Sequence, residues 1–160
     1  MKSLKSLGMV MVLAMALGMG AGCSKKNAEV EVIEAPVATV SAVELAAQQI
    51  SDGIILFDFN KYDIKAEYRD MLQGMADTLK QYPSIVVLIA GNCDERGTEE
   101  YNQALGERRA QAVYDYMIRL GVPAEQLDVI SFGEDRPAVK GSNEEAWAKN
   151  RRDNFTIMAY

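Results

Sequence analysis

Between Gly91 and Ala110 the chain reads GNCDERGTEEYNQALGERRA, and its charges are unusually placed. Asp94, Glu95 and Arg96 crowd a turn closed by Gly97, and Arg108 and Arg109 come one helix later. A turn that offers a carboxylate and a helix that offers a guanidinium can hold a small zwitterion by both ends. An acidic patch or a basic patch alone could not. Arginine is the side chain that presents a planar fork to a carboxylate, and an aspartate accepts several N–H donors from an ammonium. Taken alone, Asp94 and Arg109 could equally bridge each other and tie the turn to the helix.

The flanking elements must position these groups. Ile85–Ala90 is an apolar run of strand length without alternation, as expected of a strand covered on both faces. Thr98 is placed to cap the next helix, with Glu99 and Glu100 in its first turn. Tyr101, Leu105, Ala112, Val113, Tyr116 and Leu120 give that helix an inner face, and Gly121 closes it. Upstream, Ile54–Phe57 forms a short strand, and Tyr68, Leu72, Met75 and Leu79 recur at helical spacing over Glu67–Gln81, which ends near Pro83. Downstream come a helical turn at Pro123–Gln126, a third strand at Leu127–Phe132, a short helix at Asn143–Asn150 and a last strand at Asn154–Ala159. Trp147 and Met158 read as core residues, Asp135 and Arg136 as supports of the loop before Pro137, and Arg108 as solvent-facing or structural. This order gives an α/β class, an α+β sandwich of βαβαβ(αβ) type with a mostly parallel sheet and helices packed on it.

The N-terminus carries an address. Lys2 and Lys5 precede a charge-free stretch, Ser6–Ser24, whose apolar part runs from Leu7 to Met19. That is the length of a signal-peptide core and marginal for a membrane-spanning helix. Gly20-Ala21-Gly22 and Cys23 follow, in the outline of a bacterial lipoprotein signal cut before a cysteine that receives lipid. Gly20 stands where leucine is usual. Ser24 fits lipoproteins sent on to the outer membrane. Residues 1–22 are therefore expected to be the leader, 23–50 a lipidated N-terminus and tether, and 51–160 one folded domain; the alternatives are an uncleaved N-terminal anchor and an ordinary secretory peptide in which Cys23 has no role. Val43–Ile50 is expected to form at most a turn or two of helix. The tether of about 26 residues reaches roughly 80–90 Å fully extended and averages nearer 30 Å as a coil.

Composition excludes several classes. Without the leader's two lysines the chain has 15 Lys and Arg against 23 Asp and Glu, a formal charge of −8, which is unsuited to nucleic acid. Histidine is absent, which removes histidine triads and histidine metal ligands, and one spare cysteine is too little for a zinc site. With Cys23 lipidated, Cys93 is an unpaired thiol, read as a small buried residue beside the charged turn.

ILFDFNKYDI, GNCDERGTEEYN, LGERRA and KNRR, in this order and spacing, resemble the OmpA-like peptidoglycan-binding domain family over about Ile54–Tyr160. The lipoprotein leader points to a lipid-anchored branch of it. The resemblance implies a domain facing the periplasm that binds the stem peptide of peptidoglycan non-covalently, usually through meso-diaminopimelate. It implies that Asp94 receives the ammonium of that amino acid and Arg109 its carboxylate. Asn60 and Asn102 would line the pocket, Phe57, Asp58 and Leu105 would form its wall, and Arg96 would lie where the lipoprotein branch makes further contacts. The four motifs favour a ligand over a mere ion bridge, with Asp94 and Arg109 joined to each other when the site is empty. Neither Arg151 nor Arg152 is assigned to the ligand. The family usually has His where Asn92 stands, and Asn cannot become cationic. The resemblance further implies an outer-membrane lipoprotein working with TolB and other Tol proteins in envelope integrity and cell division, with no cofactor beyond the lipid and no enzymatic activity. Two alternatives carry different chemistry: a peptidoglycan hydrolase using Asp58, Asp94 or Glu95 as an acid pair, and an adaptor of another envelope complex.

Overall fold

The computed structural model of the chain describes residues 41–160. The leader at 1–22, the lipidation site Cys23 and the tether as far as residue 40 lie outside the described residues.

The folded part begins earlier than the tether reading allowed. Ala42–Ser51 is a helix, α1, and Ala46, Ala47 and Ile50 are buried in the common core. Ser41 caps it: the Glu44 amide donates to Ser41 Oγ, and the Ser41 amide donates to the Glu44 carboxylate at 2.7 Å. The apolar residues at 46, 47 and 50 share one helical face, a stripe too short to stand out within an Ala- and Val-rich stretch.

Strand β1 (Ile54–Leu56) leads through a 3₁₀ turn at Ala66–Tyr68 into α2 (Arg69–Gln81), which buries Leu72, Met75, Ala76 and Leu79. Strand β2 (Val86–Asn92) is followed by the long α3 (Glu99–Arg119), then β3 (Leu127–Gly133), α4 (Glu144–Asn150) and β4 (Arg152–Ala159). The sheet order is β1-β4-β2-β3. The α/β class holds, but the mostly parallel sheet is corrected to a mixed one. β2 pairs β3 in parallel, whereas β4 pairs both β1 and β2 antiparallel. The reason is length. α2 and α3 each cross back over the sheet, so β1, β2 and β3 run the same way. α4 has only seven residues, about 10 Å of helix, and cannot return the chain to the far end. β4 therefore starts where the other three strands finish.

That arrangement gathers the ends of β1, β2 and β3 and the start of β4 on one rim, the side on which open α/β sheets bind ligands. The register of α3 against this rim is set by backbone contact. A Cβ on Gly91 would lie 1.9 Å from the Gly106 carbonyl oxygen, so β2 and α3 meet where neither has a side chain. At its far end α3 closes as foreseen, with Gly121 left-handed at φ 88°, its amide donating to Ile118 O and the Val122 amide to Met117 O.

Candidate functional site

The inner face of α3 is polar where it nears the rim. Asn102, Leu105, Gly106, Arg109, Ala110, Val113 and Met117 are buried, while Tyr101 points outward and Ala112, Tyr116 and Leu120 are only half-buried. The expected inner face is thus off by about one residue. Thr98 caps the helix as expected, accepting from the Tyr101 amide at 3.2 Å.

Arg109 is completely buried, and its guanidinium is held by backbone oxygens. Nε donates to Lys61 O at 2.8 Å, Nη1 to Asn92 O at 2.7 Å and to Cys93 Sγ at 3.4 Å, and Nη2 to Asp58 O at 3.3 Å. The Phe57 ring centroid is 5.1 Å from its Cζ. Among the described residues Arg109 makes no ion pair, so the expected bridge to Asp94 in the empty site is not formed. Burial pulls its pKa below the ordinary arginine value.

Asp94 pairs instead with two other arginines. Arg96 Nη2 lies 2.7 Å from Asp94 Oδ2 and Arg96 Nε 3.1 Å from Oδ1, and Arg151 Nη1 reaches Oδ2 at 3.2 Å. Burial alone would push the Asp94 carboxyl up. The hydrogen bonds from Arg96 and Arg151 outweigh it and hold the pKa below the usual carboxylate value. Asn102 fixes the turn, its amide donating to Asp94 O at 3.2 Å and Arg96 O at 3.3 Å, and also to the Glu134 carboxylate. Gly97, at φ 125°, lets the chain turn away after Arg96.

A narrow cleft at the rim brings together Asn60, Asp94, Arg96, Asn102, Leu105 and Arg109, six of the eight residues nominated for binding. Asn60 adopts a left-handed backbone and accepts a hydrogen bond from the Tyr101 hydroxyl. The other two nominated residues do not line the cleft. Phe57 is buried beneath Arg109, and the Asp58 side chain turns out to Lys65 at 2.8 Å while its carbonyl holds Arg109. They position the guanidinium rather than form the wall. Phe59, Cys93, Tyr101 and Arg151 complete the lining. Phe59 was missed because it lies beyond β1, in a turn where no periodicity says which way a side chain points. Arg151 was missed because an Arg-Arg pair at a strand start resembles a solvated charge run. It is anchored at Phe57 O (3.0 Å), Asp94 and Glu144 (2.8 Å). Asn92 lies beside the cleft: its side chain is buried, donating to Ala90 O at 3.0 Å, and only its carbonyl serves the site. Cys93 is buried as expected, and burial pushes its thiol up to about 11, which makes it unreactive as a thiolate.

The carboxylates cast as a hydrolytic pair are poorly disposed for acid catalysis. Asp58 is held below its ordinary pKa by Lys65, Glu95 by hydrogen bonds from Ser142 and Trp147, and Asp94 by its arginines. A general acid needs the opposite shift.

Residues 56–151 match the family model described as the OmpA family. The chain is 43% identical over 138 residues to a peptidoglycan-associated lipoprotein of Haemophilus influenzae, spanning 86% of this chain and 88% of the relative. It is 47% identical over 106 residues to the protein of that name from Pasteurella multocida, spanning 66% and 69%. The crystal structure of the peptidoglycan-associated lipoprotein from Burkholderia pseudomallei superposes with a TM-score of 0.65 at 42% identity, covering 66% of this chain and 89% of that one. The C-terminal domain of Helicobacter pylori MotB superposes with a TM-score of 0.63 at 20% identity, covering 68% and 85%, a likeness of fold alone.

Proposed function

The chain belongs to the OmpA family, among its peptidoglycan-associated lipoproteins, and from that membership we propose that its rim cleft binds the stem peptide of peptidoglycan without covalent linkage. The group recognised is diaminopimelate, its ammonium at Asp94 and its carboxylate at Arg109. The observation that carries this reading is the state of Arg109: completely buried, lining the cleft, and served only by neutral acceptors among the described residues. Of its five N–H donors, one on Nη2 has no partner among those residues. A buried guanidinium without a counter-charge is costly, and a ligand carboxylate supplies one. Such a protein grips its target and transforms nothing.

Hydrogen bonds to charged partners contribute about 1.5–3 kcal/mol each, against several kcal/mol lost on association, so one site holds one stem peptide weakly. Weak binding suffices beside a polymer if the domain is confined there. We assign that confinement to lipid on Cys23, with the domain facing the periplasm from the outer membrane and the tether spanning to the cell wall. Within this reading TolB is a partner that competes for the rim.

Co-sedimentation with purified sacculi tests the site. Asp94→Ala and Arg109→Ala each abolish it while leaving the circular dichroism spectrum unchanged. Arg109→Lys, which keeps the charge and loses the fork, also fails to sediment. A variant that binds like the wild type contradicts the assignment.

A further inference from the structure

Both groups that the proposed ligand must reach are covered: Asp94 is 3% exposed and Arg109 not at all. What covers Asp94 is a cation of the chain itself. Arg96 grips the carboxylate with two prongs, at 2.7 and 3.1 Å. Its guanidinium also lies 4.1 Å from the Phe59 ring centroid and 4.2 Å from that of Trp147, between two aromatic faces. Glu144 stands 3.5 Å away on its edge. With Arg96 in place the cleft retains about 10 Å³, too little for a ligand and scarcely room for one water.

Resting on the function proposed above, we infer that Arg96 is an internal stand-in for the ligand's ammonium: it occupies Asp94 in the empty site, and diaminopimelate binds by displacing it from between Phe59 and Trp147. Of the two arginines on Asp94, Arg96 is the one free to leave. Arg151 is pinned at three points and sits between α4 and β4. Arg96 sits in the turn between β2 and α3, its side chain 28% exposed. The exchange has a consequence for selectivity. Replacing one cation by another on Asp94 gains little, so an ammonium by itself does not open the site. The carboxylate that reaches Arg109 supplies the difference, and the cleft therefore selects ligands that carry both groups.

Trp147 is the chain's single tryptophan and lies against Arg96, so its emission reports the displacement. The experiment titrates the full chain in detergent with meso-diaminopimelate, following tryptophan fluorescence, and repeats the titration with 1,5-diaminopentane, which has no carboxylate. The wild type responds saturably to diaminopimelate and not to the diamine. Arg96→Gln shows the ligand-bound emission before any ligand is added and binds diaminopimelate tighter by a factor on the order of ten, the worth of two exposed aromatic contacts to a cation. Arg96→Lys, which keeps the charge without the fork, falls between. If Arg96→Gln binds equally or more weakly while the wild type still binds, Arg96 is a ligand contact or a bystander and the stand-in role is wrong. If the wild type binds neither diaminopimelate nor sacculi, the functional reading itself fails.

Discussion

Asp153 shows at the scale of one residue what the site costs the fold. It faces the helices from β4, paired in register with Ile55 and Gly91, fully buried, and neither of its carboxylate oxygens has a partner among the described residues. Burial raises its pKa well above the ordinary 3.8, against the pull of Arg109 and Arg152. Protonation of this acid is therefore favoured more in the native chain than in the unfolded one. This contribution to stability is whole below about pH 3.8 and is lost as pH rises toward the raised value. Asp153→Asn removes the proton requirement. It is expected to stabilise the domain at neutral pH, and the gain shrinks toward pH 4. Urea titrations at the two pH values check this; an equal effect at both means the acid is ionised in the native state. Asp94 behaves oppositely. Its lowered pKa keeps it ionised through the working range, and the chain has no histidine, so sacculus binding should be flat from about pH 5 to 8. A midpoint near 6.5 in a binding titration would contradict that.

At the scale of elements, the site exists because α3 lies directly on β2. Gly91→Ala would place a Cβ against the Gly106 backbone, which cannot swing aside as a side chain can. We expect it to cost about 1–3 kcal/mol in denaturant unfolding and to weaken sacculus binding by moving Arg109, whereas a purely local effect would leave binding intact. Gln126 does similar work elsewhere. Its buried amide donates to Leu79 O, Tyr82 O and Ile85 O at 2.9–3.1 Å, joining the end of α2 to the approach of β2. Gln126→Ala takes a partner from each of those carbonyls, and a loss of about 1–3 kcal/mol with unchanged binding is expected by urea titration and sedimentation. These elements were largely legible from periodicity and caps: Thr98, Gly121 and the Leu72–Leu79 stripe stand where hydrophobic spacing puts them. The phase of α3 was not, because its rim end buries Asn102 and Arg109, which any polarity pattern assigns to solvent. Met158, expected in the core, is 60% exposed on the sheet face away from the helices, and Trp147 is half-buried over Arg96 instead of inside. The β4 insertion escaped for a different reason: strand pairing is a long-range choice that local pattern does not encode. Of the site, Asp94 and Arg109 were readable by type and motif. Their actual partners, Arg96 with Arg151 and a ring of carbonyls, follow only from the closed fold.

For the whole molecule, the proposed function needs a weak, shape-limited site and a means of staying near its target. The net charge of −6 gives the full chain no general attraction to polyanions, so recognition must come from the cleft. Confinement by the lipid proposed on Cys23 would raise the local concentration and make a weak site sufficient. Cys23→Ser should therefore release the chain from membrane fractions without weakening its binding to sacculi in solution, while loss of sacculus binding in that variant would show that lipid and grip are not separable. The central claim is that the rim cleft holds diaminopimelate, and competition tests it most directly. Wild-type protein bound to sacculi is washed with increasing free meso-diaminopimelate, and the protein released is measured. Saturable release is expected, with an equal concentration of 1,5-diaminopentane releasing none. Protein that stays on the sacculi at every concentration of diaminopimelate would contradict it.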